Sequence, residues 1–359
     1  MAALEALAQA VKSKSAVESA KNLLALFFIK NSIAKNNPFG YNFIVILNTG
    51  QRTDIPAFYS EWFMNRVREG FVMVRNPYNQ SAVTRYEINP GLVDMIGFCS
   101  KNPIPMLPYI AELDERGFAQ YWQVTITPYG RDIEPGVPDK RGIVAAFQKL
   151  SALAGRDRIV WRYDPIFLDQ KYTADVHLKA FESLARALSG WTDYCVISFI
   201  DLYPKVRRNF PQARELTQEQ KIALGCGLIQ IASRYGIVVR TCGEGDFLAQ
   251  HGAECGGCMT PAIYEKALGQ PLSFPRFTPS RSECACYLSC DIGAYSSCQH
   301  FCRYCYANSD LSAVKKNAGR HDPRSPFLIG GPLPGDVVRQ AEQKSWKAAP
   351  PKEVQRELF

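Results

Sequence analysis

The chain has no hydrophobic run long enough to cross a bilayer. Its most apolar N-terminal stretch is Leu23–Ile29, whereas a spanning helix needs about 20 residues. Lys21 and Lys30 flank that stretch, and no small-residue cleavage site follows it, so it is more typical of an amphipathic helix than of a secretory signal. We therefore expect a cytoplasmic protein that does not insert into membranes.

Other signals that would indicate a function class are also missing. No dense Lys/Arg run accompanies the formal net charge of +8, so nucleic acid is a secondary candidate partner and not the leading one. No glycine-rich dinucleotide fingerprint follows the first predicted strand, which disfavours an open doubly wound sheet. Internal repeats and low-complexity tracts are absent from the sequence. A hydrophobic fraction of 47% and a charged fraction of 21% are ordinary for a folded globular protein.

Composition divides the chain into four segments. Residues 1–38 are predicted to form a helical N-terminal extension, and residues 39–241 a (β/α) barrel-like domain. Residues 242–310 are rich in Gly and Cys with short irregular connections, which is typical of a module held by metal ligands. Residues 311–359 form a polar, Pro/Gly-rich C-terminal segment, with a tail from about Ala348 that we expect to be mobile.

Short apolar runs alternate with helical patterns across the second segment. This alternation predicts repeated βα units around a parallel sheet, and six or seven units favour an α/β fold with a complete or partial (β/α) barrel. The predicted strands are Phe43–Leu47, Phe71–Arg75, Met95–Ser100, Tyr121–Thr127, Ile159–Arg162, Tyr194–Asp201 and Gly236–Thr241. In the helix predicted over Ala174–Leu188, an apolar face at helical spacing is expected to pack on the sheet; it comprises Val176, Ala180, Phe181, Leu184 and Leu188.

Polar residues follow several predicted strands. A barrel carries its chemistry in the loops after the strand carboxyl ends, so Arg162 and Asp164 are candidates for catalytic roles, and Arg52, Asp54 and Asn102 for binding a cofactor or substrate. The guanidinium of Arg162 could hold a carboxylate in bidentate fashion. Asp54 stands directly before Ile55 and Pro56 and is also a good helix N-cap, so a purely structural role for it stays open.

The cysteines carry the clearest chemical signal. Nine of the twelve lie between Cys242 and Cys305, and without a secretory signal such a cluster indicates metal ligands before disulfides. Cys298, Cys302 and Cys305 have the spacing x3 and then x2, which can wrap three thiolates onto three irons of a [4Fe–4S] cubane and leave the fourth iron open. Structural zinc usually takes four ligands in two pairs, so this spacing favours iron–sulfur. An open iron can bind S-adenosylmethionine, and Tyr304 is suited to pack near its adenine.

These motifs resemble an uncharacterised family defined as a domain of unknown function (domain of unknown function 1848), whose C-terminal cysteines are similar to those of radical S-adenosylmethionine enzymes. The resemblance runs from residue 44 to about 345. It includes Arg52–Tyr59, Lys101–Pro103, Trp161–Pro165, and Asp291–Tyr295 leading into the cysteine triplet. The string Cys302–Tyr306 is also similar to spore photoproduct lyase, a DNA-repair enzyme of the radical superfamily. In that superfamily the triplet follows the first barrel strand, so its late position here implies a circularly permuted barrel with a Cys-rich C-terminal iron–sulfur module.

The same resemblance implies a second metal centre. It assigns four cysteines to a closed site and leaves Cys255 and Cys290 as spares; the four are Cys242, Cys258, Cys284 and Cys286. Spacing alone would instead pair Cys255-x2-Cys258 with Cys284-x-Cys286, and this alternative stays open. We expect a second [4Fe–4S] cluster there in preference to zinc, because a redox cluster is predicted next to it. His300, inside the triplet, is interpreted as a loop filler.

The leading functional hypothesis is a radical S-adenosylmethionine enzyme. Such an enzyme reductively cleaves S-adenosylmethionine at a [4Fe–4S] cluster and yields a 5′-deoxyadenosyl radical, which here would act on an unknown substrate. A reductant such as ferredoxin or flavodoxin is the expected partner. The alternatives from other classes are a non-catalytic zinc or iron–sulfur protein that binds nucleic acid, and an electron-transfer protein.

Overall fold

The computed structural model describes residues 46–274, 286–287 and 290–347. The predicted extension of residues 1–38, the beginning of the first predicted strand and the tail from Ala348 lie outside these residues. Within the described part of the chain the fold is mixed α/β. No helix in this part is both long enough and apolar enough to cross a membrane.

Ten strands form two sheets in the described residues. The main sheet has seven parallel strands in the spatial order β8-β7-β6-β5-β4-β1-β9, and a smaller sheet has the order β10-β3-β2. The strands are β1 (Ile46–Asn48), β2 (Phe71–Arg75), β3 (Ala82–Glu87), β4 (Met95–Ser100), β5 (Gln120–Thr125), β6 (Ile159–Ile166), β7 (Tyr194–Phe199), β8 (Val238–Thr241), β9 (Cys290–Asp291) and β10 (Val337–Gln340).

Nine α-helices connect or flank these strands in the same residues. They are α1 (Ile55–Phe58), α2 (Ser60–Glu69), α3 (Ile110–Glu115), α4 (Lys140–Ala154), α5 (Ala174–Leu188), α6 (Pro204–Asn209), α7 (Gln218–Arg234), α8 (Pro261–Leu268) and α9 (Leu311–Ala318). Several start at the side-chain caps that their sequences predict. Thr217, for example, accepts from the amide of Gln220 and forms a full capping box with it at the start of α7.

One predicted strand of the βα series pairs differently from the others. Phe71–Arg75 is a strand, but it pairs antiparallel with β3 and does not enter the parallel sheet. The connection to β3 is too short for the crossover that a parallel neighbour needs. Asn76 closes this turn: its side-chain oxygen accepts from the amide of Tyr78 at 2.8 Å, and its own amide donates to the carbonyl of Ala82 at 2.9 Å.

The main sheet is covered on both faces, which explains its nearly continuous apolar strands. On one face, strand residues such as Phe98, Trp122 and Trp161 pack against the helices; Trp161 stacks on Phe181 of α5 at 4.6 Å between ring centroids. Alternate residues point to the opposite face, where apolar strand positions pack against the segment around α8 and against Trp346; these positions are Ile46, Met95, Tyr121, Val160 and Val196.

The buried face of α5 differs from the predicted one. The helix bounds agree with the prediction, but the fully buried side chains are His177, Phe181, Ala185 and Leu188, and Val176 is 38% exposed. His177 takes a core position because both of its ring nitrogens have a hydrogen-bond partner there. The Tyr163 hydroxyl and the carbonyl oxygen of Phe167 each lie 2.9 Å from one of its ring nitrogens. A polar residue thus rotates the buried face, which apolar periodicity alone does not predict.

Candidate metal centres

The loop that carries the cysteine triplet begins at the carboxyl edge of the main sheet. It follows β9, which pairs parallel with β1 through Leu47 with Cys290 and Asn48 with Asp291. The amide of Ile292 extends this pairing by donating to the carbonyl of Asn48 at 3.0 Å. Since parallel strands end at one edge, the triplet loop starts beside the loops that follow the other strands.

His300, between Cys298 and Cys302, anchors the triplet loop to the rest of the fold. It is 1% exposed, its Nε2 lies 2.8 Å from Oδ2 of Asp54, and its Nδ1 lies 3.2 Å from the carbonyl oxygen of Gly136. Its carbonyl accepts from the amide of Gly136 at 2.9 Å. The histidine interpreted as a loop filler therefore fixes the position of the loop.

Gly136 contacts the backbone of the triplet loop, and sequence reasoning missed it. A Cβ at this position would lie 2.3 Å from the carbonyl oxygen of Gln299 and 2.9 Å from Cα of His300. Both neighbours are backbone atoms, so they cannot swing away as a flexible side chain could. Only glycine permits this approach, and a single glycine in a turn gives no local signal of a distant partner.

Further contacts order the two ends of the loop. The side-chain amide of Asn308 donates to the carbonyl of Cys298 at 2.8 Å, and the Tyr59 hydroxyl donates to the carbonyl of Ser297 at 2.7 Å. The amide of Ala307 lies 3.3 Å from Sγ of Cys305, as a donor to a thiolate would. The loop is thus held on both sides of its three cysteines.

The three thiols of the triplet affect one another electrostatically. Burial raises the pKa of Cys298 well above its ordinary value, and the charges of Asp54, Cys305 and Cys302 raise it further. Burial likewise raises the pKa of Cys302, while the nearby Lys101 opposes the increase. Without a metal these thiols stay protonated, and binding of a cation would release their protons.

A buried charge network borders Cys302. Glu134 is 1% exposed, and its Oε1 accepts from Lys101 Nζ at 2.9 Å and also from the hydroxyl of Tyr304; Lys140 pairs with Oε2. Burial favours the neutral acid, but the two lysines outweigh it and lower the pKa of Glu134 to about 2. Two cations against one carboxylate leave excess positive charge, which suits an anionic cluster of thiolates.

The predicted catalytic pair, Arg162 and Asp164, lies on the face of the main sheet that packs against α8. Nη2 of Arg162 lies 2.5 Å from Oδ2 of Asp164, and Nη1 lies 2.7 Å from Oε1 of Gln123. Although burial opposes ionisation, Arg162 holds the pKa of Asp164 below its usual value, and Lys101 adds to this effect. Lys101 also acts on Cys302, so it lies within electrostatic range of both the pair and the triplet.

The other predicted rim residues have local partners. Asp54 caps α1 by accepting from the amide of Ala57 at 3.0 Å, and its second oxygen accepts from the amide of Lys101 at 2.7 Å in addition to contacting His300. Asn102 caps the turn that follows β4. Arg52 lies beside Asp291, with Nε 3.8 Å from Oδ1. Asp54 therefore has the structural role of a helix N-cap, and it also contacts the triplet loop through His300.

Four polar side chains near this edge have buried atoms without a hydrogen-bond partner among the described residues. Those atoms belong to Asn48, Gln51, Thr53 and Asn308. Asn48 is 1% exposed, yet neither its side-chain oxygen nor its nitrogen is bonded. Each such atom costs about 1–3 kcal/mol, and native proteins retain few of them. Three of the four side chains lie at or just after the end of β1, and Asn308 bonds to the carbonyl of Cys298 in the triplet loop.

A second group of thiols lies on the face of the main sheet that packs against α8. Sγ of Cys258 lies 3.4 Å from Sγ of Cys242 and 3.6 Å from Sγ of Cys286. Nη1 of Arg162 contacts Cys258 Sγ at 3.4 Å. Cys284 lies outside the described residues. The two spares make other contacts: the thiol of Cys255 donates to the carbonyl of Ala253 at 3.8 Å, and Cys290 belongs to β9.

Neither thiol group is a preformed metal site. In the described ranges, no three His, Cys, Asp or Glu side chains together have the geometry of a bound ion's ligands. The short sulfur contacts around Cys258 are pairwise and are those of thiols that hydrogen-bond to one another. Metal binding would deprotonate the sulfurs and draw them around a common centre.

Comparison with known proteins gives a family for the whole site. No curated protein matches the chain. The model of the family described as a domain of unknown function (DUF1848) matches residues 46–307, from β1 through the last cysteine of the triplet. The chain belongs to this family.

Proposed function

We propose that the chain is a radical S-adenosylmethionine enzyme in which Cys298, Cys302 and Cys305 hold a [4Fe–4S] cluster. The donor set suits this group, because three cysteines on one short loop leave one iron without a protein ligand. At such an iron, S-adenosylmethionine is bound and reductively cleaved to a 5′-deoxyadenosyl radical. The substrate of that radical is unknown, and a ferredoxin or flavodoxin is the proposed reductant. This reductant chemistry suits the cytoplasm, where we place the protein.

One observation carries the proposal. The triplet loop is anchored at the carboxyl edge of a parallel sheet, and buried side chains with unbonded polar atoms lie near the same edge. An amino-acid cofactor offers an amino group and a carboxylate that could satisfy such atoms. The pairing of thiol loop and polar residues at one edge therefore supports a site that takes both a metal cluster and a polar organic ligand.

We also propose that the main sheet is a partial (β/α) barrel with a permuted strand order. From β1 to β8 the strands of the sheet follow chain order, but β9, late in the chain, pairs on the outer side of β1. If the chain were permuted so that β9 came first, sequence and space would agree. The triplet would then follow the first strand of the sheet, as it does in the radical superfamily.

The residues around the triplet have distinct proposed roles. Asp54 and His300 position the loop through their contact at 2.8 Å. Tyr304 donates to Glu134 and packs near Tyr129 at 5.9 Å between rings. Its hydroxyl therefore belongs to the charge network, and the residue is 8% exposed and packs in the same apolar cluster as Tyr129. Lys101 and Asp164 are assigned to polar groups of cofactor or substrate, and Arg162 keeps Asp164 ionised.

Anaerobic reconstitution tests the proposal. Full-length protein is loaded with iron and sulfide, iron is counted, and dithionite is added with S-adenosylmethionine. We expect about four irons at the triplet and release of 5′-deoxyadenosine. Cys302→Ala should lose both, whereas Cys195→Ala, a buried cysteine on the helix-packed face, should keep both. An intact cluster that releases no 5′-deoxyadenosine would refute the enzyme and favour electron transfer. Zinc at the triplet would favour a non-catalytic protein.

A further inference from the structure

Three tyrosines with exposed or half-buried rings border the triplet loop, and together they are called the tyrosine surface here. Tyr78, in the turn between β2 and β3, is 71% exposed, and its side chain hydrogen-bonds to that of the half-buried Tyr295. Tyr306 is 48% exposed, and its hydroxyl donates to the carbonyl of Gln51 at 2.6 Å. This bond fixes the ring of Tyr306 while much of the residue faces solvent.

Cations lie among these rings. Nζ of Lys205 lies 4.8 Å from the centre of the Tyr295 ring, and the guanidinium carbon of Arg52 lies 5.5 Å from the same centre. Lys205 and Arg208, both on α6, contact neutral oxygen atoms, and neither forms an ion pair with a carboxylate of the described residues. The tyrosine surface therefore carries positive charge that an anionic partner could neutralise.

The surface lies directly against the triplet loop. The carbonyl of Ala307 accepts from Nζ of Lys205 at 3.4 Å, and the amide of the same residue lies 3.3 Å from Sγ of Cys305. Lys205 and Cys305 also lie within electrostatic range of each other. A ligand held at Lys205 would therefore reach the site that the three cysteines border.

We infer that the tyrosine surface and its cations bind single-stranded nucleic acid. Proteins that bind single strands combine cations along the phosphates with aromatic rings on which the bases stack. The bases of an unpaired strand are free to stack in this way, whereas those of a duplex already stack on one another. The cations come from α6 and from the loop after β1, which is why no dense Lys/Arg run marks them in the sequence.

The bound strand would be the substrate of the radical, an assignment that rests on the proposed function, but binding is measured without turnover. The test is fluorescence anisotropy with full-length protein purified anaerobically. The probes are labelled oligothymidylate and oligouridylate of about 15 nucleotides, and the duplex of the former with its complement. We expect at least one single strand to bind more tightly than the duplex. The stronger of the two identifies DNA or RNA as the partner.

Salt dependence and a triplet variant add to this measurement. If Arg52, Lys205 and Arg208 each contact a phosphate, log K should fall with log salt concentration at a slope of about −2. Cys302→Ala should bind the strand as the wild type does, because it removes a proposed cluster ligand and no residue of the tyrosine surface.

Variants of the surface separate stacking from charge. Tyr306→Ala should weaken binding about fivefold or more, whereas Tyr306→Phe keeps the ring and should bind like the wild type. Tyr78→Ala removes an exposed ring outside the triplet loop and should also weaken binding. Lys205→Ala should weaken binding at low salt and make the salt slope shallower by about 0.7.

Matched controls lie at the amino edge of the main sheet. Trp191, before β7, is 37% exposed, and the side chain of Arg156, before β6, is 47% exposed. Trp191→Ala and Arg156→Ala should leave the affinity unchanged, because both residues lie at the opposite edge from the triplet loop.

Several outcomes would overturn the inference. They are no measurable binding of either single strand, tighter binding of the duplex, unchanged affinity in both Tyr306→Ala and Tyr78→Ala, and losses in the controls as large as those in the surface variants. A wild type that releases 5′-deoxyadenosine but binds no strand would refute this inference and leave the proposed function intact. Strand binding without 5′-deoxyadenosine release would do the reverse.

Discussion

The backbone amide of Gly136 donates a 2.9 Å hydrogen bond to the carbonyl oxygen of His300. The two residues are far apart in sequence, and the bond fixes the middle of the triplet loop against the loop that follows β5. Because His300 also contacts Asp54, the loop is held from two directions. The geometry of the three cysteines therefore depends on residues that would bind no metal themselves.

Gly136→Ala should displace the triplet loop without unfolding the sheet. The new Cβ would overlap the carbonyl oxygen of Gln299 at 2.3 Å, and overpacking of this kind costs about 1–3 kcal/mol. We expect most of the iron bound on reconstitution to be lost, with an unchanged far-ultraviolet circular dichroism spectrum. Gly331→Ala, at a position with nothing within 4 Å of a new Cβ, should bind iron as the wild type does. Normal iron content in Gly136→Ala would show that the loop tolerates the shift.

Asp54→Asn should loosen the same loop from its other side. One carboxylate oxygen caps α1, and the other accepts from the amide of Lys101 and contacts His300. An amide offers one acceptor oxygen, so at least one buried partner is left unpaired, at about 1–3 kcal/mol. The urea midpoint of unfolding and the iron content should both fall.

The matched control for Asp54→Asn is Asp310→Asn. Asp310 caps α9 by accepting from the amide of Ala313 at 2.8 Å, in an exposed setting. This substitution should leave iron binding unchanged. If both variants lost iron equally, the effect would belong to general helix capping and not to the contact with His300.

Glu134→Gln should be strongly destabilising. The substitution leaves Lys101 and Lys140 without their buried counter-charge, and breaking a buried ion pair from one side costs about 3–5 kcal/mol. The double variant Glu134→Gln/Lys140→Met should recover part of this loss because one uncompensated charge is removed. Urea denaturation of both variants gives the free energies of unfolding that check this prediction.

Glu112→Gln is the exposed comparison for that network. Glu112 pairs with Arg68 and Arg116 at the surface, where ion pairs contribute about 1 kcal/mol or less. A loss in Glu134→Gln as small as that in Glu112→Gln would mean that water or a neighbouring group compensates the buried lysines.

The stability of the fold should decrease at mildly acidic pH through His177. Burial lowers the pKa of this histidine below its ordinary 6.5. Below pH 6.5 the unfolded chain therefore binds a proton that the native chain does not, and the free energy of unfolding falls by up to about 1.4 kcal/mol per pH unit. The urea midpoint of the wild type should decrease from pH 7.5 towards the native-state pKa. In His177→Gln this decrease should be smaller; an identical pH profile in both proteins would assign it to other groups.

Asn48→Leu should separate stability from ligand binding. The side-chain oxygen and nitrogen of Asn48 have no partner among the described residues, so an apolar side chain of similar size is expected to be neutral or stabilising. If these atoms serve a polar ligand, reconstituted Asn48→Leu should bind S-adenosylmethionine at least tenfold more weakly in calorimetry. Reduced stability together with unchanged affinity would refute this role.

Local sequence patterns predicted much of the fold because the relevant forces act between near neighbours. The strand Met95–Ser100 and the helix Ala174–Leu188 have the predicted bounds, since hydrophobic periodicity and capping are local. The strand β9 has only two residues, too few for any periodicity. Its place beside β1 comes from backbone pairing across the whole chain, and no pattern within the strand encodes it.

The sequence by itself determined the chemistry available to this protein: three cysteines at x3 and x2 spacing and more cysteines upstream. Tertiary structure alone decided which of these groups meet. Cys242 and Cys286 both contact Cys258, which contacts Arg162, and Gly136 with Asp54 fixes the triplet loop. Ligand identity follows from residue type and spacing, which are local. Sulfur separations and loop anchors depend on contacts between residues far apart in the chain, and these arise only when the sheet assembles.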